Sequence, residues 1–91
     1  GLRIRVDPIA LFVGGSTTVT CTVPRDAGWK RLVLGIEWVG TSERNLREAH
    51  TSQFSLLVTQ IPCEATTAYC LVEGSQTKVL TAPLIVGDCD P

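Results

Sequence analysis

Four cysteines in a chain of 91 residues are the strongest constraint on what this sequence can fold into. A core of that size is only marginally stabilising by itself, so covalent ties matter out of proportion to their number. Cys21, Cys63, Cys70 and Cys89 contain no CxxC pair, and the single histidine, His50, stands in no zinc-type spacing with them. Two disulfides are the expected state, with no metal site and no cofactor. Such bonds persist in oxidising compartments, so the expected location is extracellular or on a cell surface. No basic-then-apolar leader opens the sequence and no apolar run reaches the length of a membrane span. Residues 1–91 are therefore read as one domain excised from a larger ectodomain, with any membrane attachment supplied by an anchor elsewhere.

Eight basic and nine acidic side chains are scattered without blocks and give a net charge of −1, which offers no footprint for nucleic acid or an anionic membrane. An enzyme is not expected, because His50 has no cysteine or serine partner that spacing can justify, and no small-molecule substrate is implied. Asn45 is followed by Leu46 and Arg47, so no N-glycosylation sequon covers the surface.

Short runs rich in β-branched residues recur between turn signals, the pattern of an all-β sandwich or barrel. "LRIRV" alternates Leu2, Ile4 and Val6 against Arg3 and Arg5; Pro8 breaks it, and "IALFV" resumes before the turn at Gly14 and Gly15. "TTVTCTV" places Val19, Cys21 and Val23 on one face and three threonines on the other. In "RLVLGIEWV", Leu32, Leu34, Ile36 and Trp38 share the inward face, while Val33, Gly35, Glu37 and Val39 point outward. "GTSERNLREAH" reads as a loop with at most one helical turn. "FSLLV" turns Phe54, Leu56 and Val58 inward; "TTAYCLVEG" turns Ala68, Cys70 and Val72 inward and Tyr69, Leu71 and Glu73 outward. A two-residue turn at Gly74 and Ser75 would set Leu71 opposite Lys78, Cys70 opposite Val79 and Tyr69 opposite Leu80. Pro83 predicts an edge strand kinked before "LIVGDC".

Seven or eight strands, a cysteine in the second and a partner about fifty residues later in the penultimate one resemble the immunoglobulin fold. The resemblance implies a two-sheet sandwich in which Cys21 and Cys70 form the inter-sheet bridge. Cys63 then precedes the penultimate strand at the pole where Cys89 follows the last one, so a Cys63–Cys89 bridge is reachable. Ala68 occupies the tyrosine-corner position, Trp29 lies in a loop and Trp38 comes late, departures that favour a constant-like or intermediate set over the variable one.

"LGIEW" places a carboxylate in the most hydrophobic stretch of the chain. Leu34, Gly35, Ile36 and Glu37 resemble the motif that presents the integrin-binding glutamate in the first domains of intercellular adhesion molecules, and the mucosal and vascular adhesion molecules carry related acidic stretches. "VDPIALFVGGSTTVTCTVP" is similar to their early strands. The resemblance implies an exposed carboxylate completing the coordination of a divalent metal held by the integrin. The expected protein-binding residues are Glu37, Val39, Tyr69, Leu71 and Lys78, with Trp29 either a loop-tip anchor or folded onto the core. The expected function is that of an extracellular module binding a cell-surface protein, whether an integrin, another receptor or a second copy. The alternatives are a structural spacer in a multi-domain ectodomain and a pathogen-encoded domain that binds a host receptor.

Overall fold

The computed structural model describes residues 1–25, 28–65 and 67–89. Asp26, Ala27, Thr66, Asp90 and Pro91 lie outside the described residues. All regular structure among the described residues is β: β1 (Arg3–Asp7), β2 (Ala10–Phe12), β3 (Thr17–Thr22), β4 (Arg31–Ile36), β5 (Gly40–Asn45), β6 (Gln53–Val58), β7 (Thr67–Glu73), β8 (Thr77–Pro83) and β9 (Ile85–Gly87). The breaks predicted at Pro8 and Pro83 are present, and the strand beyond the expected seven or eight is β5. The first strand divides into β1 and β2 around a cis Asp7–Pro8 bond, and the last divides into β8 and β9 at Leu84.

Each break moves a strand to a different partner. β1 pairs antiparallel with β3, whereas β2 pairs parallel with β9. A buried threonine fixes the crossover: Thr17, 2% exposed, donates its hydroxyl to the Pro8 carbonyl at 2.6 Å, which satisfies a polar group where the ladder is interrupted. Nothing in the sequence distinguished Thr17 from the threonines that follow it.

The sheets are β1-β3-β6, β5-β4-β7-β8 and the short ribbon β2-β9. Period-2 alternation supplies the inner faces, as the sequence predicts. Val19, Cys21 and Val23 from β3 and its extension meet Leu32, Leu34, Ile36, Ala68, Cys70 and Val72 from β4 and β7, all buried. Burying Leu32, Leu34 and Ile36 almost completely contributes about 1.5–3 kcal/mol each. The core has two parts, one around Val19, Ile36, Val58 and Ile61 and the other around Cys21, Leu34, Phe54 and Val72. Ile4 and Leu56 pack against both.

The disulfides are Cys21–Cys70, with Cα atoms 6.2 Å apart, and Cys63–Cys89, with Cα atoms 5.6 Å apart. The first joins the two large sheets through the core and closes 49 residues, which in the chain-entropy view stabilises the fold by about 4 kcal/mol. The second ties the end of β9 to the segment before β7.

Three expectations are corrected. "GTSERN" is not a loop but β5, an edge strand on β4 with register Val33↔Glu43 and Gly35↔Thr41. It lacks an apolar face because an edge strand with its outer side in water has little to bury, so its pairing is carried by the backbone. The β7–β8 hairpin is displaced by one residue: Leu71 faces Val79, Cys70 faces Leu80 and Tyr69 faces Thr81. Gly74, Ser75 and Gln76 form the loop, with the Gly74 N–H donating to the Gln76 carbonyl at 2.8 Å. A type II′ turn needs a positive φ at its first central residue, and Gly74 does not have one. Its lack of a side chain serves proximity instead, since a Cβ there would lie 2.8 Å from the Gly28 carbonyl oxygen and 3.2 Å from the Trp29 ring. Finally, Trp38 does not enter the core; it is 88% exposed.

Candidate protein-binding face

The outer face of the four-stranded sheet follows from the register. Across β5, β4, β7 and β8, one row runs Glu43, Val33, Leu71, Val79 and the next runs Thr41, Gly35, Tyr69, Thr81. The centre is apolar, and Val79 is 55% exposed. At one end Arg31 bridges two carboxylates, donating to Glu43 and, at 2.8 Å, to Glu73. The Glu43 and Glu73 carboxylates raise the affinity of the guanidinium for its proton. These are solvent-accessible pairs, so they fix side-chain positions more than they stabilise the fold.

At the other end the chain leaves β4 in a tight turn. Ile36 accepts a hydrogen bond from the Val39 N–H at 3.2 Å, and the Glu37 N–H donates to the Thr67 carbonyl at 3.0 Å. Gly35 permits the close return of β5: a Cβ at this position would collide with the Gly40 carbonyl oxygen and lie 2.8 Å from Thr41 Cα. The turn thereby forms one wall of a shallow groove. Glu37, Trp38 and Val39 line that side, and Tyr69, Leu71, Val79 and Thr81 line the other. Tyr69 donates its hydroxyl to Thr41 Oγ1 at 2.7 Å, which holds the ring across the strand boundary.

The residues singled out from the sequence are thus partly assembled. Glu37, Val39, Tyr69 and Leu71 line one groove. Glu37 is exposed, but it sits on a turn beyond the end of β4 and not within the strand. Among the described residues its carboxylate forms no ion pair. Val39 also packs against the core beside Ile36.

Lys78 is not on this face. The shifted hairpin register sets it opposite Val72, on the inner side at the hairpin's protruding end, and turns Leu80 inward with it. Trp29 is not a loop-tip anchor: it is half-buried and packs against the core around Cys21 and Leu34.

Trp38 is the exposed groove residue that alternation misplaced. A tryptophan 88% exposed, with φ at 73°, occupies backbone space that bulky side chains rarely adopt, at a cost of about 1–3 kcal/mol. Period-2 counting assigned it inward because it assumed that the strand continued. Gly40, two residues on, was the available signal of a turn.

Among the described residues no three His, Cys, Asp or Glu side chains come together as a metal cage. Glu37 can offer one carboxylate to a cation held elsewhere, which is a different task from binding a cation itself. No family model matches the chain, and no curated protein matches its sequence.

Proposed function

We propose that this chain is an extracellular immunoglobulin-like module that binds a cell-surface protein through the outer face of its four-stranded sheet, with Glu37 as the central polar contact. The observation that carries this reading is the turn Glu37–Trp38–Val39, which sets a carboxylate with no ion pair among the described residues, and an exposed, conformationally costly tryptophan, at the rim of an apolar groove. Folding gains little from either side chain in that position. Contact surfaces centre on buried aromatics with a few polar groups, and this rim supplies both.

Three features support the immunoglobulin-like class. A cysteine in β3 bridges to one in β7 across the core. A three-stranded sheet, β1-β3-β6, packs on a four-stranded one, and β5 joins β4 and not β6, an arrangement between the constant and variable types. The broken first strand changes partner at Pro8. The two disulfides fit an oxidising, extracellular setting.

A carboxylate at the end of a strand, free of ion pairs and bordered by apolar side chains, suits the completion of a divalent cation's coordination shell on an integrin, where excluding water strengthens the contact. The test is adhesion of the soluble chain to integrin-bearing leukocytes in Mg²⁺ or Mn²⁺, against EDTA, for wild type and Glu37→Gln. Metal-dependent binding that falls at least about tenfold in the variant supports the reading. Binding indifferent to both metal and substitution removes the integrin assignment.

A further inference from the structure

Edge strands present unpaired backbone groups that invite another strand, and proteins usually blunt them with charge or proline. Four edges belong to the large sheets here: β1 and β6 in one, β5 and β8 in the other. β1 carries Arg3, Arg5 and Asp7; β5 carries Glu43 and Arg44; β8 carries Lys78 and Pro83. β6, "QFSLLV", has neither charge nor proline, and its Leu57 is 64% exposed on the outer side.

The direction of each backbone group along β6 follows from the hydrogen bonds at its start. The Ser52 carbonyl accepts from the Val23 N–H at 2.8 Å, so position 52 faces the β3 side. Alternation then points Phe54, Leu56 and Val58 to β3, and Gln53, Ser55 and Leu57 to the free edge. Gln53 agrees with this: its N–H donates to Thr51 Oγ1 at 3.1 Å, and the same hydroxyl donates to its carbonyl at 3.3 Å. Thr51 therefore caps the first of the three outward positions. The backbone groups of Ser55 and Leu57 have no partner among the described residues.

We propose that Ser55 and Leu57 pair with the same residues of a second copy of this chain, merging two three-stranded sheets into one sheet of six. A two-fold antiparallel contact must set inward side chains against inward ones, so its axis passes through a residue and not between two. An axis at Ser55 would call on the Gln53 groups that Thr51 already occupies. An axis at Leu56 pairs Ser55 with Leu57 of the other copy, and Leu57 with its Ser55, giving four N–H···O=C bonds from groups otherwise unpartnered. Leu56 then faces Leu56, and Phe54 faces Val58. A strand of like charges would repel itself in such a pairing, whereas this one is uncharged and its free groups at Ser55 and Leu57 match their own two-fold copies, which fits a second copy and gives a partner of opposite charge nothing to pair with. The edge lies on the opposite sheet from the groove, so the dimer leaves both grooves open and is independent of what they bind.

Sedimentation equilibrium up to about 1 mM, with amide hydrogen exchange at low and high concentration, tests this. Wild type should shift to dimer with concentration, and protection should rise about tenfold or more at Ser55 and Leu57 but not at Thr41 or Glu43. Leu57→Pro removes an N–H with no intrachain partner and should be monomeric, while Leu57→Thr keeps that N–H and should still dimerise. A wild type monomeric throughout, protection confined to β5, or a Leu57→Pro chain that is folded and dimerises as wild type does would each overturn the proposal.

Discussion

The outer face of the three-stranded sheet presents Arg3, Arg5 and Asp7 on β1, Thr18, Thr20 and Thr22 on β3, and Gln53 and Ser55 on β6, with Leu57 its one large apolar side chain. The outer face of the four-stranded sheet presents Val33, Leu71, Val79 and Tyr69 across its centre. Both sheets close the same core and both outer faces meet water, so burial cannot explain the contrast. Threonine ladders such as Thr20 to Ser55, joined hydroxyl to hydroxyl at 2.9 Å, satisfy β-propensity while remaining wet. An apolar outer face is tolerated on one sheet alone, and that exposed patch is the basis for the contact surface proposed above.

The contrast can be broken most severely at the bond joining the sheets. Replacing Cys21 and Cys70 with alanine should lower stability by about 4 kcal/mol or prevent folding altogether, removing both faces together; urea unfolding monitored by circular dichroism measures it. Gly35→Ala should act on one face only. The new methyl has to displace the β5 backbone, so about 2 kcal/mol or more should be lost. Hydrogen exchange should rise in β4 and β5 while β1, β3 and β6 keep their protection.

Leu71→Lys sharpens the comparison without unfolding either sheet. On the outer face of β7 it should change stability by about 1 kcal/mol or less yet weaken cell binding at least about tenfold. Thr20→Lys on the opposite face should leave binding unaltered, and surface plasmon resonance or flow cytometry of both variants separates the two faces. The smallest effect belongs to Arg31→Ala, which breaks two exposed ion pairs and should cost at most about 1 kcal/mol, read from the same urea titration.

The strands with a buried face were legible, because alternation along β3, β4, β6 and β7 records which side chains lose water. β5 was not: "GTSERN" buries little, so no hydrophobic signal marks it, and its existence depends on β4 offering a free ladder. The groove was legible in part. Tyr69 and Leu71 follow from strand parity, and Glu37 is exposed as expected although on a turn just past β4; Lys78 and Trp38 were misplaced, because parity fails wherever a strand ends or a hairpin loop gains a residue.

Sequence alone determined the all-β character, the inward faces of β3, β4, β6 and β7, the breaks at Pro8 and Pro83, and the expectation of two disulfides, since each of these is set by side-chain type at fixed local spacing. Only the tertiary structure decided the β7–β8 register, because Gly74 is chosen by the Trp29 ring packed against it and not by the turn's own dihedral angles. It also decided that Trp38 faces solvent, because the return of β5 across Gly35 ends the strand one residue before Glu37. Both are close approaches between one backbone segment and another, and no local pattern of residues records how closely two backbones will approach.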